Sequence, residues 1–323
     1  MMKNFLARMC AATACTLMLA GQAVSQGYPV RPITLIVPYA PASAPDLLGR
    51  VVAAKLSESL GQSVVVENRV GAAGQIGADA ISKAAPDGYT IGVFDGNVYG
   101  ILPAARPRSG HDPLRDYTLI MNAARLTMFL AVNSSVPANS VQEFIALAKA
   151  NPGMNYGSAG QLGIHHLSME SFMQMSGIYM NHIPYKGVIQ AVPALITGEV
   201  SAMFNSLPSL SPHLKSGKIR LLGAGSPQRS PLLPELPTIS ESGLPGYESL
   251  YSMGFAAPAG TPKEIIEQLH AHMTRALQQP DVAEKLAAVG LEPAMNSPTE
   301  FRAQIQREQA QYRKLVELTN IRN

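Results

Sequence analysis

The sequence predicts an α/β protein folded as two lobes, each around a mostly parallel sheet, and three observations carry that reading. Short apolar strands alternate with helical segments from residue 33 onward. Irregular, proline-rich stretches at 96–116 and 226–247 break that alternation into runs. Strand-like segments at 126–132 and 253–257 stand where the chain would cross from one run to the other and back. Unbroken apolar strands separated by helices belong to parallel sheets covered on both faces. The lobes are therefore expected at 27–125 plus 250–323 and at 126–249.

The elements follow in order. Residues 33–37 form a β-branched run ended by Pro38, and 46–60 carry Leu47, Leu48, Val51, Val52, Leu56 and Leu60 at helical spacing. A strand at 64–66, a helix at 74–84, the turn Pro86-Asp87-Gly88 and a strand at 89–94 come next. After the strand at 126–132, a helix at 140–150 is capped by Ser140 and stopped by Asn151-Pro152-Gly153. Strands at 154–158, 180–184, 200–204 and 219–223 alternate with helices near 165–175 and 189–197. Beyond the strand at 253–257, three helices begin near Thr261-Pro262, Pro280-Asp281 and Ser297-Pro298, each with a hydroxyl or acid beside proline.

The N-terminus reads as an export signal. Lys3 and Arg8 precede an apolar run at 9–20, and small residues at 21–25 suit a peptidase cutting after Ser25. The run is shorter than the roughly 20 residues a membrane span needs. Both cysteines, Cys10 and Cys15, fall inside this segment, which excludes a disulfide scaffold, a thiolate metal site and a cysteine nucleophile from the mature chain. The formal charge of +3 is spread along the chain, so neither nucleic acid nor an anionic membrane surface is indicated. The chain contains no tryptophan, which argues against a sugar-stacking surface.

Three places join a strand to a helix through small residues. These are 38–46, 157–163 and Tyr185-Lys186-Gly187. In open α/β sheets, ligands lie beyond the carboxyl ends of strands. Small side chains there expose backbone N–H groups, and the following helix adds partial positive charge, so such loops favour anions. If the first two loops come from opposite lobes, two helix N-termini would face each other as a carboxylate clamp.

The chain resembles the substrate-binding receptors of tripartite tricarboxylate transporters, the Bug-type receptors. The resemblance runs through Tyr28-Pro29-Val30-Arg31-Pro32-Ile33, Val65-Val66-Glu67-Asn68-Arg69, Ala84-Ala85-Pro86-Asp87-Gly88-Tyr89-Thr90 and Asn155-Tyr156-Gly157-Ser158-Ala159-Gly160. It continues through His166-Leu167, Ile183-Pro184-Tyr185-Lys186-Gly187, Leu244-Pro245-Gly246-Tyr247 and Ala257-Pro258-Ala259-Gly260-Thr261-Pro262. It implies the two-lobed, type II Venus-flytrap fold of periplasmic binding proteins and a periplasmic monomer. Such a protein captures a small organic carboxylate and delivers it to integral membrane transporter subunits, without catalysis, cofactor or metal. Ligand contacts are expected at Tyr39, Ala42, Ser43, Ala44, Asp46, Asp95, Ser158, Ala159, Leu162, Gly163, Ile164, His166, Tyr185, Lys186 and Asn205. Ser43 and Ser158 are expected to donate side-chain bonds.

Departures from the family pattern bear on the ligand. The first loop usually carries glycines and Thr-Asp, but here reads Ala42-Ser43-Ala44-Pro45-Asp46, and the second continues Leu162-Gly163-Ile164 where hydroxyl residues are usual. A strand-end acid common in the family is Asn205 here. These changes point to a ligand with an apolar body, and they disfavour an amino acid, whose ammonium would want a carboxylate partner.

Two enzyme readings compete. The run at 71–77, Gly71-Ala72-Ala73-Gly74-Gln75-Ile76-Gly77, follows a strand, opens a helix and precedes Asp95, as in a dinucleotide-binding turn. A dinucleotide-dependent oxidoreductase is thus the alternative, although Ala73 occupies the middle glycine position. Gly157-Ser158-Ala159-Gly160 lacks the spacing of a hydrolase nucleophile elbow. The histidines show no metal spacing, and His165 and His166 point in different directions on a helix.

Overall fold

A computed structural model describes residues 27–107 and 110–318. The expected export signal at 1–25 lies outside the described residues, as do both cysteines. In the first lobe β1 (Ile33–Val37) pairs in parallel with β2 (Val64–Asn68) and β3 (Thr90–Asp95). Helices α1 (Ala44–Leu60) and α2 (Gln75–Ser82) make the crossovers. Alternation along β1 covers both faces of this sheet. Ile33, Leu35 and Val37 pack with Leu48, Val52 and Leu56 of α1, whereas Ile36 packs with Ile81 of α2 on the other side. After β3, Asn97–Ile101 winds as a π turn into the short α3 (Leu102–Ala105), inside the stretch expected to be irregular.

The lobes share one long strand, β4 (Tyr117–Asn133). Its first part pairs antiparallel with β9 (Leu250–Pro258) as far as Thr127↔Leu250, and from Met128↔Ser206 onward its partner is β7 (Ala202–Ser206). The sequence predicts only the second part. The polar Asn122 and Arg125 interrupt the apolar pattern of the first. Asn122 is buried and its Nδ2 donates to Gln304 Oε1 at 2.9 Å.

In the second lobe β5 (Met154–Ser158) pairs in parallel with β6 (Met180–Pro184) and β7, and β8 (Ile219–Ala224) joins β4 antiparallel. Helices α4 (Val141–Ala150), α5 (Ile164–Ser176), α6 (Val188–Thr197) and α7 (Leu207–Leu214) cover it. The chain returns through β9 to α8 (Lys263–Leu277), α9 (Pro280–Ala288), β10 (Leu291–Asn296) and α10 (Pro298–Leu318). Every antiparallel pair involves β4 or β9, the crossing strands, and the βα units of both lobes are parallel. Two elements escape the sequence reading because proline sits inside them: α7 contains Pro212, and β10 contains Pro293.

Helix starts divide into two kinds. Ser140 accepts the Glu143 N–H at 3.1 Å, and Ser297 and Glu300 cap each other reciprocally. At α8 and α9 the expected hydroxyl or acid caps are absent, and the cap residues are Pro262 and Gln279 without side-chain bonds. Pro280 at the start of α9 supplies a fixed φ instead. Apart from the hinge strands, the lobes meet in an apolar cluster of Ile101, Leu167 and Tyr312, with Leu162, Ile164 and Leu315 around it. Among the described residues no helix is long and apolar enough to cross a membrane.

Where α10 packs on the hinge, Gly254 of β9 is required by close approach. A Cβ there would fall on the Met121 carbonyl oxygen and 2.8 Å from the Phe301 ring. Gly254→Ala should therefore lower stability by about 1–3 kcal/mol, measured as a lower urea midpoint with unchanged m value. An unchanged midpoint would mean that the hinge backbone is not held as tightly as described.

Candidate functional site

Both small-residue loops open onto one cavity of about 760 Å³ between the lobes. The first loop contributes Tyr39, Ala42, Ser43 and Ala44, and the second contributes Gln161, Leu162, Gly163 and Ile164. The first helical bond of α1 is Leu47 N–H to Ser43 O, and that of α5 is Leu167 N–H to Gly163 O. The N–H groups before them therefore have no partner within their own helices. Proline at position 45 removes one such donor from the first loop, which leaves the N–H groups of Ala44 and Asp46 there. The helix N-termini thus face one space from opposite lobes, a favourable place for negative charge.

Each loop contains one strained residue. Ala42 and Leu162 adopt φ of 65° and 56°, in the left-handed region that non-glycine residues rarely occupy. Polar groups outside the cavity hold them. Asp46 is 1 % exposed and accepts from Ala42 N–H, Asn68 Nδ2 and Arg50 Nε, each within 2.9 Å. Burial works to raise its carboxyl, but those three bonds hold it below the ordinary range. The second loop rests on a stack. The rings of His166 and His182 lie 3.9 Å apart and nearly parallel, with Tyr156 beside them. His166 Nδ1 accepts the Leu162 N–H at 3.1 Å, and Ser158 Oγ bonds both His182 Nε2 and Gly160 O. Burial would raise Glu170, yet bonds from His166 and Tyr156 hold its carboxyl below the usual range.

Eight of the expected contacts line the cavity: Tyr39, Ala42, Ser43, Ala44, Leu162, Gly163, Ile164 and Asn205. Seven do not. Asp46, Ser158 and His166 lie beneath the loops and position them. Asp95 is fully buried behind the cavity and accepts the hydroxyls of Tyr39 and Tyr251 and the Val98 N–H. Its burial raises the carboxyl, with those three donors opposing. Ala159 is not part of the wall, Tyr185 donates to Glu199 at 2.8 Å, and Lys186 is exposed outside the cavity. The expected side-chain donors are also occupied: Ser43 Oγ donates to Ala40 O at 2.7 Å and Ser158 Oγ to Gly160 O at 2.9 Å.

The rest of the wall is mostly apolar, with Leu47, Ile101, Leu102, Leu126, Met128 and Val188 facing in. Among the described residues, Arg106 is the one side chain of fixed charge in the wall, and no carboxylate lines it. A smaller cavity of about 550 Å³ lies on the opposite face of the hinge strands, where Leu250 and Ser252 point while Tyr251 points into the larger one. Neither loop's small residues reach it, apart from Ile164.

Residues 48–321 match the family described as "Tripartite tricarboxylate transporter family receptor". The chain belongs to this family. It is 36 % identical over 286 residues to BugT of Bordetella pertussis, covering 88 % of each chain. An R. palustris protein solved with adipate superposes with a TM-score of 0.77 at 35 % identity, covering 90 % of this chain and 97 % of the other. MatC from Rhodopseudomonas palustris, solved with malate, gives 0.74 at 29 % identity, covering 90 % and 100 %. This periplasmic receptor therefore has the two-lobed binding-protein fold that the resemblance implied.

Nothing in these comparisons supports the oxidoreductase alternative, and the geometry explains its sequence signal. Gly77 is needed because a Cβ would meet Pro38 and the Arg69 carbonyl, so the glycine run packs α2 against β1. Asp95, the acid that a ribose would require, is enclosed by its tyrosines. Among the described residues no group of His, Cys, Asp and Glu could hold a metal ion.

Sequence reasoning missed Arg106, Tyr251, Ser209 and His165 as cavity residues. His165 is the second residue of α5 and reaches the cavity, while His166, next in sequence, turns into the stack. Helical geometry alone separates the two but does not say which one faces in. Burial pushes the His165 pKa down to about 4, with an Asn205 hydrogen bond opposing. Between pH 6.5 and about 4 the unfolded chain binds a proton that folded His165 refuses, so stability falls as pH drops through that window. His182, pushed to about 4 by burial, adds in the same direction. His165→Gln should lose less stability than the parent between pH 7.5 and 5, by about 2 kcal/mol in urea titrations. Parallel losses in both proteins would assign the pH response elsewhere.

Proposed function

We propose that this receptor captures a small carboxylate with an apolar body between the two helix N-termini and passes it to membrane subunits of a tripartite transporter. The carrying observation is the composition of the 760 Å³ cavity: two facing helix starts, one arginine, apolar walls and no acid among the described residues. Adipate and malate in two related structures support the same ligand class. The protein acts as a monomer and without catalysis, after export and cleavage near Ser25. Residues 27–125 plus 250–323 and 126–249 form the two moving units, hinged where β4 changes partner between Thr127 and Met128.

Isothermal titration with adipate and malate tests the clamp. Ile164 is the first helical residue of α5, preceded by Gly163 in extended conformation at ψ 167°, so proline fits there without breaking the helix. Ile164→Pro removes one N–H that Ile164→Ala retains. A hydrogen bond to a charged group is worth about 1.5–3 kcal/mol, so Ile164→Pro should bind roughly tenfold to a hundredfold more weakly than Ile164→Ala. Equal affinities would remove the α5 N-terminus from the site. Small-angle scattering of the parent protein should give a smaller radius of gyration with saturating ligand, and an unchanged radius would argue against hinge closure.

A further inference from the structure

We infer that Asn205 reads an oxygen beside the bound carboxylate, so that the site accepts hydroxy- or oxo-carboxylates and turns away amino acids. This inference rests on the carboxylate reading above and adds to it the identity of the neighbouring group.

Asn205 stands near the end of β7, fully buried, in the wall of the cavity. Its Oδ1 accepts the Ser206 N–H at 2.8 Å. Its Nδ2 has no partner in the protein. His165 stands beside this side chain in the same wall. Turning the amide over would strand the Ser206 N–H, so the orientation is fixed with the NH₂ group as the free end. His165 stays neutral at physiological pH, since burial pushes its pKa to about 4, so it places no positive charge beside the amide.

Position decides what the free donor meets. His165 belongs to the first turn of α5, whose unpartnered N–H groups face the cavity, so Asn205 lies beside the place where a carboxylate would rest. An amide N–H needs an acceptor. A hydroxyl or carbonyl oxygen on the carbon next to the carboxylate supplies one, whereas an ammonium group offers only donors. The surroundings give an ammonium nothing in return. No carboxylate lines the cavity among the described residues, Asp95 is already bonded to Tyr39 and Tyr251, and Arg106 adds positive charge.

Adipate, 2-hydroxyadipate and 2-aminoadipate share one skeleton and differ in a single group, which makes them suitable probes for isothermal titration. The parent protein should bind 2-hydroxyadipate about tenfold more tightly than adipate, and 2-aminoadipate at least about tenfold more weakly than adipate. Asn205→Asp keeps the acceptor for the Ser206 N–H but removes the donor, and should reverse the order of the hydroxy and amino compounds. Asn205→Leu should bind adipate and 2-hydroxyadipate within about twofold of each other. Retained adipate binding shows that a variant is folded, and Asn205→Asp decides the matter where Asn205→Leu does not fold. Equal binding of all three probes to the parent, or an unchanged order in Asn205→Asp, would overturn the assignment while leaving the carboxylate reading intact. No binding of any probe to the parent would overturn both.

Discussion

One strand serving two sheets sets the geometry of the molecule. β4 can change partner from β9 to β7 between Thr127 and Met128 only because its backbone groups find new partners at once on the other side. The parallel βα units of each lobe are built outward from that strand, so the carboxyl ends of β1 and β5 come to face one gap. The loops after those strands then meet, and the helices they start point their unsatisfied N–H groups inward. The cavity follows from topology before any side chain is chosen.

Side chains enter as supports more than as contacts. The two loops carry non-glycine residues in the left-handed region, at Ala42 and Leu162, which costs about 1–3 kcal/mol each unless the surroundings enforce it. Asp46 with Asn68 enforces the first, and the His166–His182 stack with Ser158 enforces the second. Residues that look like ligand-binding acids, hydroxyls and bases in the sequence are thus occupied beneath the loops. What remains to face a ligand is main chain, apolar surface, one arginine, one histidine and a few amides and hydroxyls, Asn205 among them.

The pattern of what could be read in advance has the same origin. Strands such as 33–37 and helices such as 46–60 are legible because burial on one or both faces imposes a period that local residues display. The first half of β4 is not, because Asn122 is buried through a partner, Gln304, 182 positions away. The loops are legible as ligand sites through their small residues. Which side chains point into the cavity is not, because the choice between His165 and His166 depends on a stacking partner, His182, that arrives from another strand. Asp46 and Ser158 were expected as contacts for a related reason: a sequence locates a polar group in a loop but not the side of the loop on which its partner lies.

The apolar cluster that joins Ile101 and Tyr312 of one lobe to Leu167 of the other bears on how long a ligand stays. These contacts hold the lobes together in the arrangement described. Burying a large apolar side chain is worth about 1.5–3 kcal/mol, so parting the seam adds a barrier that no ligand atom contributes. Residence time is then set jointly by solute and protein, and tuning the seam would change the exit rate for every solute alike while leaving selection among solutes to the cavity wall.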